Sequence, residues 1–434
     1  MESGFMAEVR PFKGLFYDRS KIGGDYSSVV APPYDVISDR MRDALYARNQ
    51  YNVIRLILGK ASEGDNEKDN TYTRAAATIN KWMDDGVLVR DKNENFYVYL
   101  QEYPYRGKKF SRLGFIGLMK IEDSERNKIY PHEKTLAKPK ADRMNLISKV
   151  GANLSPIFSL FSTPGKGSAR GLLEKTITGK EPVIDVSENG ERERLWKIDD
   201  PGALDSIVDM MKEARVFIAD GHHRYEVARQ YRDMMRRESG YDGSADHVMM
   251  YFADMSDVEN LTVMATHRVV KKMPFRGDED AKRLLSGHFS SRVCSSVESL
   301  IECLDAVEEN EQVFGYFGGN EYLLFSAGDV RALTSAMPEA RRMEWKTLDV
   351  SILHSAVFKT FLSVDDGEGN ITYVRDAGKA AHLVSDGSHE AAFFLRATRV
   401  SQIKAVAELG EMMPQKSTYF YPKLLSGLVI NKFR

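Results

Sequence analysis

Residues Val216 to Ala228 read Val-Phe-Ile-Ala-Asp-Gly-His-His-Arg-Tyr-Glu-Val-Ala, an apolar run ending at one acid, one glycine, two imidazoles and a guanidinium. This spacing predicts a buried strand that turns at Asp220-Gly221 and enters a helix. Gly221 lets the backbone take positive φ or approach a ligand closely. The first N–H groups of the helix and its positive dipole end point back at the turn, which suits an anion. Arg224 adds a bidentate donor for phosphate or carboxylate. The structural alternative is that Asp220 only caps the helix and the histidines lie at the surface. Capping alone does not call for His222-His223-Arg224, so the phosphate reading is preferred.

Two other segments carry similar chemistry. Tyr130 to Arg143 gathers His132, Glu133, Lys134, Thr135, Lys138 and Arg143 around Pro131 and Pro139. His132 could move a proton near neutral pH, and Glu133 could act as a base or orient a metal-bound water. Lys134, Lys138 and Arg143 could neutralise a phosphoryl group in transfer. Their structural alternative is a solvated loop before a helix from about Ala141 to Val150. In the tail, Lys416, Ser417 and Thr418 offer an ammonium and two hydroxyls, with Lys423 a few residues on. The alternative there is a final strand with core aromatics. No Gly-x-Gly-x-x-Gly, Gly-x-Ser-x-Gly or His-Glu-x-x-His occurs. Adjacent His222 and His223 would project about 100° apart on a helix, so they are not read as metal ligands. Mg²⁺ held by Asp220 or Glu133 together with a substrate phosphate remains open.

The elements that must position these groups alternate without a regular βαβ rhythm, which predicts an α+β protein. The apolar run Asn52 to Leu58 reads as a buried strand. Phe96–Gln101 and Arg112–Lys120 read as paired strands, and Pro182–Ile198 as a hairpin around Asn189-Gly190. Pro201–Lys212, Trp345–Phe361 and Val400–Leu409 read as helices. The 434 residues allow two or three domains, and 42% hydrophobic with 29% charged residues fits a globular chain with ample core. A formal charge of −2 supplies no electrostatic pull toward nucleic acid or an anionic membrane. Two cysteines, Cys294 and Cys303, argue against a disulfide scaffold and fit a reducing cytoplasm.

The combination of motifs resembles the bacterial and archaeal domain-of-unknown-function 1015 family. The resemblance is carried by Arg10–Gly14, Val30–Ile37, Tyr51–Leu56, Tyr130–Thr135, Gly151–Ile157, Ala219–Tyr225 and the Lys416 to Lys423 run. The Asp-Gly-His-His-Arg turn also looks like the phosphate-binding motif of the ParB/sulfiredoxin-like superfamily, which includes free-serine kinases. That resemblance implies a mixed-sheet ParB/sulfiredoxin-like core over residues 1–270 and a C-terminal α/β extension over 271–434. It assigns Gly221, His222, His223 and Arg224 to phosphate contact and gives Asp220 a polar or metal-linked role. Sulfinic-acid reduction would need a cysteine where His222 and His223 stand.

The reading is therefore phosphoryl transfer on a small amino-acid-type substrate, either phosphoserine dephosphorylation or ADP- or ATP-dependent phosphorylation of free serine. Asp220, His223, His132 and Glu133 are the expected catalytic groups. Gly221, His222, Arg224, Lys134, Thr135, Lys138, Arg143, Lys416, Ser417, Thr418 and Lys423 are the expected phosphate or substrate contacts. The expected partner is a small phosphorylated metabolite or a nucleotide, without nucleic acid or membrane. The alternative is a nucleotide-binding regulator without turnover.

Overall fold

In the computed structural model, residues 7–123, 129–133, 135, 137–163, 167–365 and 369–433 are described. The chain is a mixed α+β protein that forms two compact units. The first comprises Met1–Tyr130, Thr135–Thr262 and Pro422–Arg434, and the second Pro131–Lys134 and Val263–Tyr421. The sequence had suggested a single divide near residue 270. Instead the last thirteen residues return to the first unit, and four residues of the His132 segment belong to the second.

The first unit is built on a nine-stranded mixed sheet. Its strands are β1 (Val9–Arg10), β2 (Phe96–Tyr105), β3 (Lys108–Lys120), β4 (Ile129–Tyr130), β5 (Ile157–Ser162), β6 (Ile184–Glu188), β7 (Glu191–Ile198), β8 (Arg215–Asp220) and β9 (His247–Asp254). The spatial order is β4-β8-β5-β9-β3-β2-β7-β6, with β1 also on β3. β8 runs parallel to β4 and antiparallel to β5, and β9 runs parallel to β5. The β2–β3 hairpin turns at Arg106-Gly107 and β6–β7 at Asn189-Gly190, all four residues at positive φ as a tight two-residue hairpin requires. All eight residues of β9 are buried, so this strand is covered on both faces.

One core packs Phe96, Phe115, Phe161, Ile218 and Phe252 of the sheet with Ile207 and Met211 of a helix at Pro201–Met211. A second core joins Leu15, Val29, Val53, Ile79 and Trp82 to Leu146, Val150 and Ile430. Helices α1 (Asp39–Arg48), α2 (Thr71–Asp84), α3 (Ala137–Val150) and α4 (His222–Met235) belong to this unit.

The second unit holds a six-stranded sheet whose central strands are Val313–Phe317 and Ala391–Phe394. Helices Val297–Ala306 and Ala377–Ser385 pack on it. The single helix expected over Trp345–Phe361 is interrupted: Met343–Lys346 is one helical turn, and after a break at Thr347-Leu348 the chain winds from Asp349 into a π-helix over Ile352–Phe361. Cys294 is buried and Cys303 half-buried, and both are free thiols. Among the described residues no helix is long and apolar enough to cross a membrane.

Two expectations for local structure in the first unit also need correction. The run Asn52–Leu58 is not a strand: Ile54–Ile57 is a buried helical turn. Asn52 dictates this. Its Oδ1 accepts from the Ile54 N–H at 3.0 Å, while Nδ2 donates to the Ser28 and Val30 carbonyls at 2.8 and 3.0 Å. A side chain that bonds its own backbone two residues on starts a turn, and apolar content alone does not reveal it. The helix expected from Ala141 begins at Ala137, so Lys138 and Lys140 lie in its first turn instead of a loop.

Asn52→Ala should strand two buried carbonyls and one N–H. We expect a loss of about 2–3 kcal/mol in denaturant-melt stability; a loss below about 0.5 kcal/mol would contradict the structural role given to Asn52.

Candidate phosphate site

β8 delivers Asp220 to the end of the sheet, where Gly221 takes φ 95° and ψ 28° and α4 begins. A register shift between Ile218 and Asp220 marks the same point. Gly221 is the N-cap of α4 and has no side chain with which to cap it. A Cβ on Gly221 would lie 2.8–2.9 Å from the Arg224 guanidinium, so any other residue would strain the left-handed backbone and displace Arg224.

Asp220 is held from two sides. Arg224 Nη2 donates to Oδ2 at 2.9 Å, and the Lys423 ammonium bonds Oδ1. Arg224 Nη1 also donates to the Pro156 carbonyl at 2.5 Å. Burial pushes the Asp220 carboxyl up, but Lys423 and Arg224, with His222 nearby, override it and hold the group down at about 2. The carboxylate is thus firmly ionised beside two cations.

A cleft adjoins the turn. Tyr34, Arg143, Asn153, Ser155 and Arg224 supply its polar wall, and Ile57, Ile157 and Val248 part of its apolar wall. The Arg143 guanidinium sits 4.0 Å from the Tyr34 ring centre and donates to the Ile57 carbonyl at 2.9 Å. Burial raises the Tyr34 phenol, while Arg143 and Arg224 pull it back. Ser155 and Ser426 hydroxyls meet at 2.6 Å, and Ala31 and Ser426 exchange backbone bonds at 2.8 and 3.2 Å. The proline loop and the tail are thereby fixed to one another.

The expected residues distribute unevenly. Asp220, Gly221, Arg224 and Lys423 come together, with His222 buried and His223 half-buried in the first turn of α4. Thr135 bonds Glu226 in the next turn of α4, and Lys140 reaches the same carboxylate at 2.8 Å. Lys138 is exposed, and Lys134 lies outside the described residues. Tyr34, Ser155 and the Pro156 carbonyl had no site signal of their own in the sequence.

Within the second unit, buried His132 places Nε2 2.9 Å from Thr418 Oγ1, and Glu133 Oε1 lies 3.4 Å from the same hydroxyl. Ser417 donates to the Pro414 carbonyl at 2.5 Å and is buried, so its hydroxyl has a structural partner. Lys416 is exposed at φ 56°. Buried Arg268 shapes this segment by donating to the Gln415 and Lys416 carbonyls at 3.0 and 3.1 Å and to His354 Nε2 at 3.2 Å. His354 is consequently pushed down to about 3 by burial, Arg268 and Lys359.

Among the described residues no group of three or more His, Cys, Asp or Glu side chains could hold a metal ion. Asp220 already faces two cations, so this donor set does not fit a Mg²⁺ held by protein groups alone.

A carboxyl depressed in the folded state stabilises the fold above its unfolded value and loses that contribution as pH falls through the folded value. The stability difference between wild type and Asp220→Asn should therefore be widest near neutral pH and close between about pH 4 and 2. A gap that stays constant over that window in acid-denaturation curves would contradict the clamp.

No curated protein matches the sequence. Among solved structures, the chain is similar to a conserved hypothetical protein from Pyrococcus furiosus at 14% identity, covering 68% of this chain and 89% of that one with a TM-score of 0.33. A free serine kinase in complex with AMP is similar at 15% identity over 68% of this chain and 83% of that one, TM-score 0.32. SbnI from Staphylococcus aureus, truncated at its C-terminus, is similar at 12% identity over 72% and 85%, TM-score 0.35. These similarities are too distant to assign a function. The sequence profile described as "Protein of unknown function (DUF1015)" matches residues 9–351, and the chain belongs to that family.

Proposed function

We propose that this protein is a phosphoryl-transfer enzyme acting on a small amino-acid-type substrate, as a phosphoserine phosphatase or an ADP- or ATP-dependent free-serine kinase. The observation that carries the reading is the convergence of Arg224 and Lys423 on one carboxylate at a helix start. A phosphoryl group carries oxygens with the same appetite for donors. It could draw on Arg224, Lys423 and the first turn of α4 without new elements. The serine-type substrate rests on the resemblance of the Asp-Gly-His-His-Arg turn to the ParB/sulfiredoxin-like superfamily.

Roles follow from ionisation. A carboxylate held at about 2 is a weak base at neutral pH, so Asp220 suits orienting the two cations better than taking a proton. An imidazole is the better proton carrier, and His223 stands in the first turn of α4. In the second unit, the His132–Thr418 pair with Glu133 is an arrangement suited to proton transfer at a hydroxyl. The fully countered Asp220 equally favours a second reading, a nucleotide-binding regulator without turnover.

Phosphate release from O-phosphoserine with Mg²⁺, measured alongside phosphoryl transfer from it to AMP (forming ADP) or to ADP (forming ATP) with free serine as the other product, separates these readings. Release without nucleotide identifies a phosphatase, and phosphate transfer only with nucleotide identifies a kinase. Nucleotide binding without product supports the regulator. In each case Arg224→Ala should weaken phosphate-ligand affinity by about 1.5–3 kcal/mol in a calorimetric titration. Unchanged affinity would sink the site.

A further inference from the structure

A second cavity lies elsewhere in the first unit. It opens between α1, the Val30–Pro32 loop, the β6–β7 hairpin and Leu425, with about 730 Å³ of space counted to its open mouth. Val30, Leu45, Val186 and Leu425 form much of its apolar wall. Glu193 of β7 also lines it, although that residue is only 3% exposed.

Glu193 sits in a polar network beneath the wall. The Tyr99 hydroxyl donates to Oε2, and Gln101 Nε2 donates to Oε1 at 3.0 Å. Arg112 Nε donates at 3.0 Å to Gln101 Oε1, and its charge helps draw the Glu193 carboxyl down. Tyr99, Gln101, Arg112, Glu191 and Tyr251 are the polar groups facing Glu193. A carboxylate offers about four acceptor positions, and these donors take two. Burial pushes the group up to about 7, with Tyr99, Gln101 and Arg112 pulling it back.

Arg48 is engaged bidentately by Glu188 at 2.8 and 3.1 Å. The lining thus contains three carboxylates, Glu188, Glu191 and Glu193, against one guanidinium. Such a cavity disfavours anions. It favours a cation that can desolvate its body against aliphatic walls.

We propose that this cavity binds a small primary ammonium ion with a branched aliphatic body, its ammonium on Glu193 and its body against Val30, Leu45, Val186 and Leu425. The ammonium supplies donors that the buried carboxylate lacks, and the cost of burying that charge is offset by pairing. A neutral isostere brings the same apolar body and none of the charge. The ammonium also requires the ionised carboxyl, so binding at low pH must expel the proton on Glu193. No phosphate ligand is involved, and the proposal stands independently of the Asp220 site.

The test is calorimetric titration of the full-length protein with 3-methylbutylamine, and with 3-methylbutanol as the neutral comparison. The amine should bind saturably at pH 8, and the alcohol at least tenfold more weakly. Amine affinity should fall at least tenfold between pH 8 and pH 5.5. Glu193→Gln should weaken it at least tenfold. So should Ala44→Trp, which fills the mouth from an exposed helix position and leaves the buried network intact. Absence of saturable amine binding, equal affinity for the alcohol, a flat pH profile, or unchanged amine affinity in Ala44→Trp would each overturn the assignment.

Discussion

One carboxylate gripping two cations organises the first unit. Asp220 ends β8, the strand next to the β4 edge of the sheet, Arg224 lies in the first turn of the following helix, and Lys423 arrives from the tail, 203 residues away in sequence. None of the three could stay where it is alone. Without the carboxylate, two positive groups would face each other beside a helix N-terminus that is itself positive. Without the cations, a carboxylate partly withdrawn from water would shift toward its neutral form. Gly221 completes the constraint, because Arg224 folds back over the space a side chain would fill.

Lys423 is aimed by its backbone as well as by its charge. Arg112 Nη2 donates to the Pro422 carbonyl at 2.6 Å, and Gln101 Nε2 reaches the Lys423 carbonyl at 3.3 Å. Arg112 also lies under the Phe158 ring, 4.5 Å from its centre. The residues that fix the tail therefore belong to the two long strands β2 and β3, among the most buried in the sheet. A polar network buried this deeply is specific because each member is bonded and a broken member costs desolvation. The same network carries Glu193, so the two cavities of this unit share supporting groups while differing in sign: one presents arginines, the other carboxylates.

The strand–turn–helix around Asp220 and Gly221 was legible in the sequence because its signal is local. An apolar strand, a glycine at a forced turn and a helical repeat lie within thirteen residues, and the structure places each as expected. The Asn189-Gly190 hairpin and the pairing of Phe96–Gln101 with Arg112–Lys120 were legible for the same reason. Long-range pairing was not. Lys423 reads as one more tail lysine until Asp220 is beside it. Glu193 stands in the run Glu-Arg-Glu-Arg, which has the pattern of a solvated strand, and only the packing of Tyr99, Gln101 and Arg112 around it shows a buried acid. Arg143 was identified as a cation for phosphate, but its ring contact with Tyr34 depends on a loop more than a hundred residues earlier. The misread strand at Asn52–Leu58 failed because one buried amide overrode an apolar pattern.

The most direct test of the central claim is a crystal structure of the protein grown with ADP or O-phosphoserine. The account predicts phosphate oxygens at the start of α4, within hydrogen-bond distance of Arg224 and the Lys423 ammonium, with the Asp220 pairings loosened to admit them. A phosphate bound elsewhere, with both cations still closed on Asp220, would contradict it.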